Sequence, residues 1–156
     1  MIRKILLVTA LSFLACCFAE DFKGFLDIPF GTSKKECYKT MRGKGWGFGI
    51  LRKNFEQYVG KTYGGKKPKM VTFMYEDGKL VTVCVEFSNA LETTEVLNAL
   101  IEKYELKRKY ESKENKFFLT KDFSVTFAYM DKRLFIEDSN YAERQIERNK
   151  VDKSDL

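Results

Sequence analysis

The chain has 156 residues, 44% of them hydrophobic and 14 of them Phe, enough for one domain with a real core and too apolar for a disordered segment. Its formal charge is +6 and it contains no histidine, which removes histidine triads, the common zinc hydrolase sites and histidine acid/base chemistry. Lys and Glu alternate through most of the chain instead of concentrating basic charge on one stripe, so nucleic acid is not an expected partner.

Residues 1–19 read as an export signal. Arg3 and Lys4 precede an apolar run from Ile5 to Phe13, and Cys17-Phe18-Ala19 is a small-x-small cleavage site before Glu20 and Asp21. The run is too short for a permanent membrane helix. Cleavage after Ala19 would free the chain into the periplasm or the medium, whereas Leu14-Ala15-Cys16 resembles a loose bacterial lipobox that would place a lipid on Cys16. A membrane contact is expected only in the second case. The leader holds two of the 28 Lys and Arg, so 26 cations face 22 acids after its removal, a net charge of +4.

The chain after the leader predicts an α+β domain over residues 20–139 with a polar helix or tail over 140–156. A short strand is expected around Phe22 to Ile28, then a turn at Pro29 and Gly31. Ser33 opens a helix, with Glu36 at capping-box spacing, and Gly43 or Gly45 ends it. Strands follow at Trp46 to Arg52 and Phe55 to Val59, then a Gly/Lys loop, then Met70 to Glu76 and Lys79 to Phe87 joined at Asp77-Gly78, a strong hairpin signal. Asn89 and Glu92 repeat the capping spacing ahead of a second helix whose apolar stripe is Val96, Leu97, Leu100, Ile101 and Tyr104. Leu106 to Tyr110, Phe117 to Thr120, Phe123 to Met130 and Leu134 to Ile136 are the remaining strands. In the tail only Tyr141, Ile146 and Val151 offer apolar surface. Helix then strands occurs twice, the pattern of a duplicated unit, and two helices are expected on one face of an antiparallel sheet.

Period-two alternation sorts the faces. Val81, Val83, Val85, Phe87, Phe123, Val125 and Phe127 are expected beneath the helices. Met70, Thr72, Met74, Leu80, Thr82, Cys84 and Met130 fall on the other face, which is less polar than a water-facing sheet needs to be. Curling of the sheet, cover by the tail, or a partner-binding face would each account for that. Cys84 and a helical Cys37 would lie on opposite sides of the sheet, against a disulfide, and no CxxC spacing supports redox or zinc chemistry.

No motif for catalysis, metal or cofactor binding is complete. Gly60-Lys61-Thr62 imitates the end of a phosphate loop, but Phe55 stands where that motif needs Gly, and Gly64, Gly65 and Pro68 forbid the following helix. Gly43, Gly45, Gly47 and Gly49 never satisfy GxGxxG and read as sites of close approach between a helix and a strand. Glu76, Asp77, Glu86, Glu137 and Asp138 read as hairpin-end or exposed-strand charges rather than as a catalytic pair. The loop with Lys61, Tyr63, Lys66, Lys67 and Lys69 is the densest basic patch, either a solvated loop or a contact for an anionic envelope component or acidic protein. Trp46 reads as core.

The segment Phe25-Leu26-Asp27-Ile28-Pro29-Phe30-Gly31-Thr32-Ser33-Lys34-Lys35-Glu36, followed by Gly45-Trp46, resembles the opening of small exported bacterial proteins in which such a stretch leads into a helix and a Gly-aromatic strand. With the Asp77-Gly78 hairpin and the second helix-strand unit, the chain is similar to the beta-lactamase-inhibitor-protein-like fold shared by small outer-membrane assembly lipoproteins. That resemblance implies a non-enzymatic protein-binding module with a concave sheet face, and transfers no individual contact residue. The expected function is therefore binding of a protein or envelope component through the open sheet face, with Met70, Met74, Leu80 and the lysine loop as contacts. A lipid-anchored envelope assembly or maintenance factor is the alternative, and an enzyme of unrecognised type the third reading. Mass spectrometry of the protein recovered from a producing bacterium is expected to find Glu20 at the N-terminus without an acyl group. A diacylglyceryl mass on Cys16 would replace free export by lipid anchoring.

Overall fold

The computed structural model describes residues 20–112 and 115–141, with 143, 144 and 147 beyond them. The expected leader with its Cys16, and Ile146, Val151 and the rest of the tail from 148, lie outside the described residues. The element order is α1 (Lys34–Gly43), β1 (Gly47–Leu51), β2 (Phe55–Val59), β3 (Met70–Glu76), β4 (Lys79–Glu86), α2 (Ala90–Tyr104), β5 (Lys107–Glu111), β6 (Asn115–Leu119), β7 (Val125–Met130) and β8 (Arg133–Asp138). The eight strands form one antiparallel α+β sheet in the order β1-β2-β3-β4-β8-β7-β6-β5. A further helical segment begins at 139. No helix among the described residues is long and apolar enough to cross a membrane.

Local chemistry sets the ends of the helices. At α1 the Ser33 side chain accepts from the Glu36 amide and the Glu36 carboxylate accepts from Ser33, so two first-turn donors are satisfied reciprocally. The exchange holds the Glu36 carboxyl below its ordinary range. At α2 the return half is displaced by one residue: Asn89 Oδ1 accepts from the Glu92 amide at 2.9 Å, while Glu92 accepts from the amide of Ser88 at 3.2 Å. Gly45, at φ +79°, turns the chain from α1 into β1, and Asp77 and Gly78, both at positive φ, form the β3–β4 turn.

The expected strand around Phe22 to Ile28 is instead a tight turn. Leu26 and Asp27 both hold positive φ, which joins Phe25 to Ile28 as an isolated bridge and leaves no run of extended residues to pair. Phe25 and Ile28 are nonetheless 1% and 2% exposed, because the turn drives them into the core. Gly47 and Gly49 approach the backbone of β2 at Val59 and Gln57 rather than a helix.

Cys37 and Met41 of α1 and Val96, Leu97 and Leu100 of α2 share one buried cluster with Val71, Phe73, Val83, Val85, Phe127, Leu134 and Ile136. Two expected positions move. A bulge pairs Met74 with Thr82 but Tyr75 with Leu80, so Val81 is the extra residue and the alternation reverses there. Leu80 thus points into the core at 0% exposure instead of onto the open face. Phe123 is 56% exposed with φ 60°, because β7 starts at Val125. The Asp122 carboxylate accepts from Thr120 Oγ1, Ser124 N and Ser124 Oγ, and that turn throws the Phe123 ring outward.

Inside the core sits one carboxylate. Glu56 is 2% exposed, and its Oε2 accepts from the phenols of Tyr58 at 2.6 Å and Tyr75 at 2.7 Å. Burial, then these bonds, push both phenols well above the ordinary range, so they stay protonated donors. Lys34 covers the edge of this network, its ammonium over the Tyr75 ring and bonded to the carbonyls of Arg52 and Lys53.

Val83→Asp is expected to unfold the domain, since an unpaired charge at a 0% exposed position costs on the order of several kcal/mol. Phe123→Ser is expected to move the thermal midpoint little. Thermal unfolding of the two variants beside the parent checks both, and a folded Val83→Asp would mean the sheet faces are reversed.

Candidate binding face

Pairing registers align the outward side chains into rows that cross the six inner strands of the sheet. Phe55, Met74, Thr82, Glu137, Thr126 and Leu119 make one row; Gln57, Thr72, Cys84, Phe135, Ala128 and Phe117 make the next. Most of these are apolar or carry only a hydroxyl. The helical segment from 139 lies over this face: Tyr141 lines a cavity on either side of itself. Arg144 at 2.9 Å from Glu76 ties the segment to the end of β3.

Tyr141 thus divides the face in two. On the β2–β4 side a groove of about 490 Å³ is lined by Phe55, Met70, Met74, Cys84 and Phe135 among others. Its polar rim is already paired, with Glu86 between Arg133 at 3.2 Å and Lys69 at 4.0 Å. On the β5–β8 side a larger cleft of about 790 Å³ is lined by Tyr110, Phe117, Leu119 and Phe123, with Glu137, Thr126 and Ser139 supplying polar groups.

The expected contact residues do not all meet here. Met70 and Met74 are half-buried in the groove, and Leu80 is behind it in the core. Tyr63 is also core, 9% exposed and stacked on Phe25 at 4.5 Å between ring centres, because the Gly64-Gly65 turn folds Tyr63 back under α2. The lysines fan apart: Lys61 lies against Gly45, Lys66 pairs with Glu95 of α2, Lys69 reaches Glu86, and Lys67 stays exposed. Only Lys69 touches the groove's rim, so the loop is not one basic surface. Phe55, Phe117, Leu119 and Phe135 are the face residues that alternation could have found, since all four lie inside the expected strands; Tyr141 lies in a helical segment and carries no such signal.

Cys37 and Cys84 are both free thiols, Cys37 under α1 and Cys84 on the open face. Among the described residues no group of three His, Cys, Asp or Glu side chains is placed to hold a metal ion. No protein-family model, curated protein or solved structure matches the chain.

Burial pushes both thiols up to about 11, but only Cys84, 8% exposed, borders open space, while Cys37 is fully enclosed. The thiolate is the reactive form, so alkylation of these two thiols in the native protein is expected to be slow near neutral pH, to quicken about tenfold per pH unit up to that range, and, of the two, to fall on Cys84. Peptide mapping after timed alkylation reads this directly. Modification of Cys37 at an equal rate would show that α1 does not seal the core.

Proposed function

We propose that this chain is an exported, non-enzymatic binding module that holds a partner protein on the groove side of its open sheet face. The observation that carries this reading is the row of Phe55, Met74 and their neighbours Met70 and Phe135, half-buried side chains facing a groove whose rim charges are paired with one another through Glu86. Such a surface loses little polar hydration when covered and offers adaptable thioether contacts, which suits a partner's apolar segment. The leader motif supports export, and the Ile-Pro-Phe-Gly-Thr-Ser-Lys resemblance supports a binding rather than catalytic role. In this reading both helices back the sheet on the opposite face, and the two helix-plus-four-strand runs descend from one duplicated unit.

A photo-crosslinking residue placed at Met74 or at Gln57, in the producing bacterium, is expected to capture a discrete partner. The same residue at Leu91, 68% exposed on α2, is expected to capture none. Against the captured partner, Met74→Asp should raise the dissociation rate, while neutralising Lys61, Lys67 and Lys69 should lower only the association rate and its salt dependence. Adducts confined to Leu91, or unchanged binding by Met74→Asp, would move the contact surface off the sheet.

A further inference from the structure

The cleft on the other side of Tyr141 has a different chemistry from the groove, and its features do not depend on a protein partner. Its volume of about 790 Å³ lies in the range of small-molecule sites, and its walls are the rings of Tyr110, Phe117 and Phe123 with Leu119. At its inner end the polar groups are all acceptors or hydroxyls. Glu137 stands between Thr82 on β4 and Thr126 on β7, each its direct cross-strand neighbour, and Thr126 Oγ1 lies 3.2 Å from Ser139 Oγ. Thr82 is 1% exposed, and its hydroxyl closes no hydrogen bond of ordinary geometry among the described residues. It lies near enough to the Glu137 carboxyl to favour the ionised form, yet burial outweighs it and raises the carboxyl above its ordinary range. Lys109, exposed on edge strand β5, and a second carboxylate, Glu143, also line the cleft, and the Lys107 ammonium lies 5.3 Å from the centre of the Phe123 ring.

We propose that this cleft is a binding site for a small amphipathic primary amine, the ammonium seated on Glu137 and the apolar body along Phe117, Leu119 and Phe123. Three features of the site select that class. A primary ammonium brings three donors and no acceptor, which matches one carboxylate flanked by hydroxyl oxygens. A carboxylate ligand would instead meet Glu137 as a like charge, and a neutral alcohol would leave the carboxyl without a cation. Aromatic walls accept both an alkyl body and the partial charge of a nearby ammonium.

Calorimetric titration of the full chain with dodecylamine, dodecan-1-ol and dodecanoate, each below its aggregation limit, tests this without any variant. Dodecylamine is expected to bind roughly tenfold or more tightly than the other two, the size of one desolvated charge-assisted contact. Glu137→Gln is expected to bring the amine down to the level of the alcohol while alcohol binding persists. Phe123→Ala, at an exposed position, is expected to weaken all ligands that still bind. Met74→Ala, which trims the groove without adding a charge beside Thr82, is expected to leave amine affinity unchanged, so failure here and failure of the partner-binding reading are separable. Equal binding of amine and dodecanoate, no measurable amine binding, or a Glu137→Gln variant that keeps the amine preference would each overturn the assignment.

Discussion

The pairing of β4 with β8 is the constraint on which the rest of the molecule depends. These are the last strands of the two helix-plus-four-strand runs, and they meet antiparallel at the middle of the sheet, Val83 beside Ile136 and Val85 beside Leu134. All four side chains are 0% exposed. A run of four strands with one helix would bury little on its own, whereas joining two of them places β4 and β8 where both helices contribute to one cluster. The same register places the outward neighbours Thr82 and Glu137, and Cys84 and Phe135, side by side at the centre of the open face. Core and face are therefore fixed by one ladder.

The buried Glu56 and the half-buried Glu137 show how differently the sides of that ladder are built. Glu56 points inward and receives two phenol donors on one oxygen, so its desolvation is offset by charge-assisted bonds within a closed network. Nothing about it reaches a cavity, and losing one phenol would leave a buried carboxylate short of a donor at a cost of about 1–3 kcal/mol. It is architecture. Glu137 points outward, is flanked by hydroxyls that do not neutralise it, and borders open space. A half-buried carboxyl whose cross-strand neighbours are hydroxyls rather than cations is the kind of group that clusters at functional sites.

Much of the frame was legible because it rests on local rules. The Ser33 and Asn89 caps, the Asp77-Gly78 turn and the alternation through Val83 and Val85 each follow from short-range chemistry, and β2 and β3 fall on the residues expected. The misplaced residues sit where a local rule meets a longer-range one. Leu80 reads as outward by strict alternation from Thr82, but a bulge beside the hairpin inserts Val81 and reverses the count. Phe123 reads as the first residue of a strand by composition, while the Asp122 turn beside it claims the backbone. Tyr63 looks like a loop aromatic among lysines, and only the packing of the Gly64-Gly65 turn against Val96 of α2 sends it inward. The cleft was illegible for a related reason: Tyr141 sits in a segment whose polar composition says nothing of where it lies.

The edges of the sheet bear on which surface is left to act. β5, at one edge, reads Lys-Arg-Lys-Tyr-Glu and is exposed along its whole length, so any incoming strand would meet three cations before it could pair. β1, at the other edge, carries no charge and exposes Ile50 and Leu51, yet it is only five residues long and its register with β2 breaks between Phe48 and Leu51. A short edge with a bulge offers a partner few consecutive backbone groups in line. The open face has no such protection. Its rows are continuous across six strands, its apolar side chains are half-covered, and the segment carrying Tyr141 partitions the face without filling the spaces on either side. Composition guards the β5 edge and geometry guards the β1 edge; on the face, the partition by Tyr141 leaves two spaces of different chemistry, a thioether-bearing groove and an acid-ended aromatic cleft.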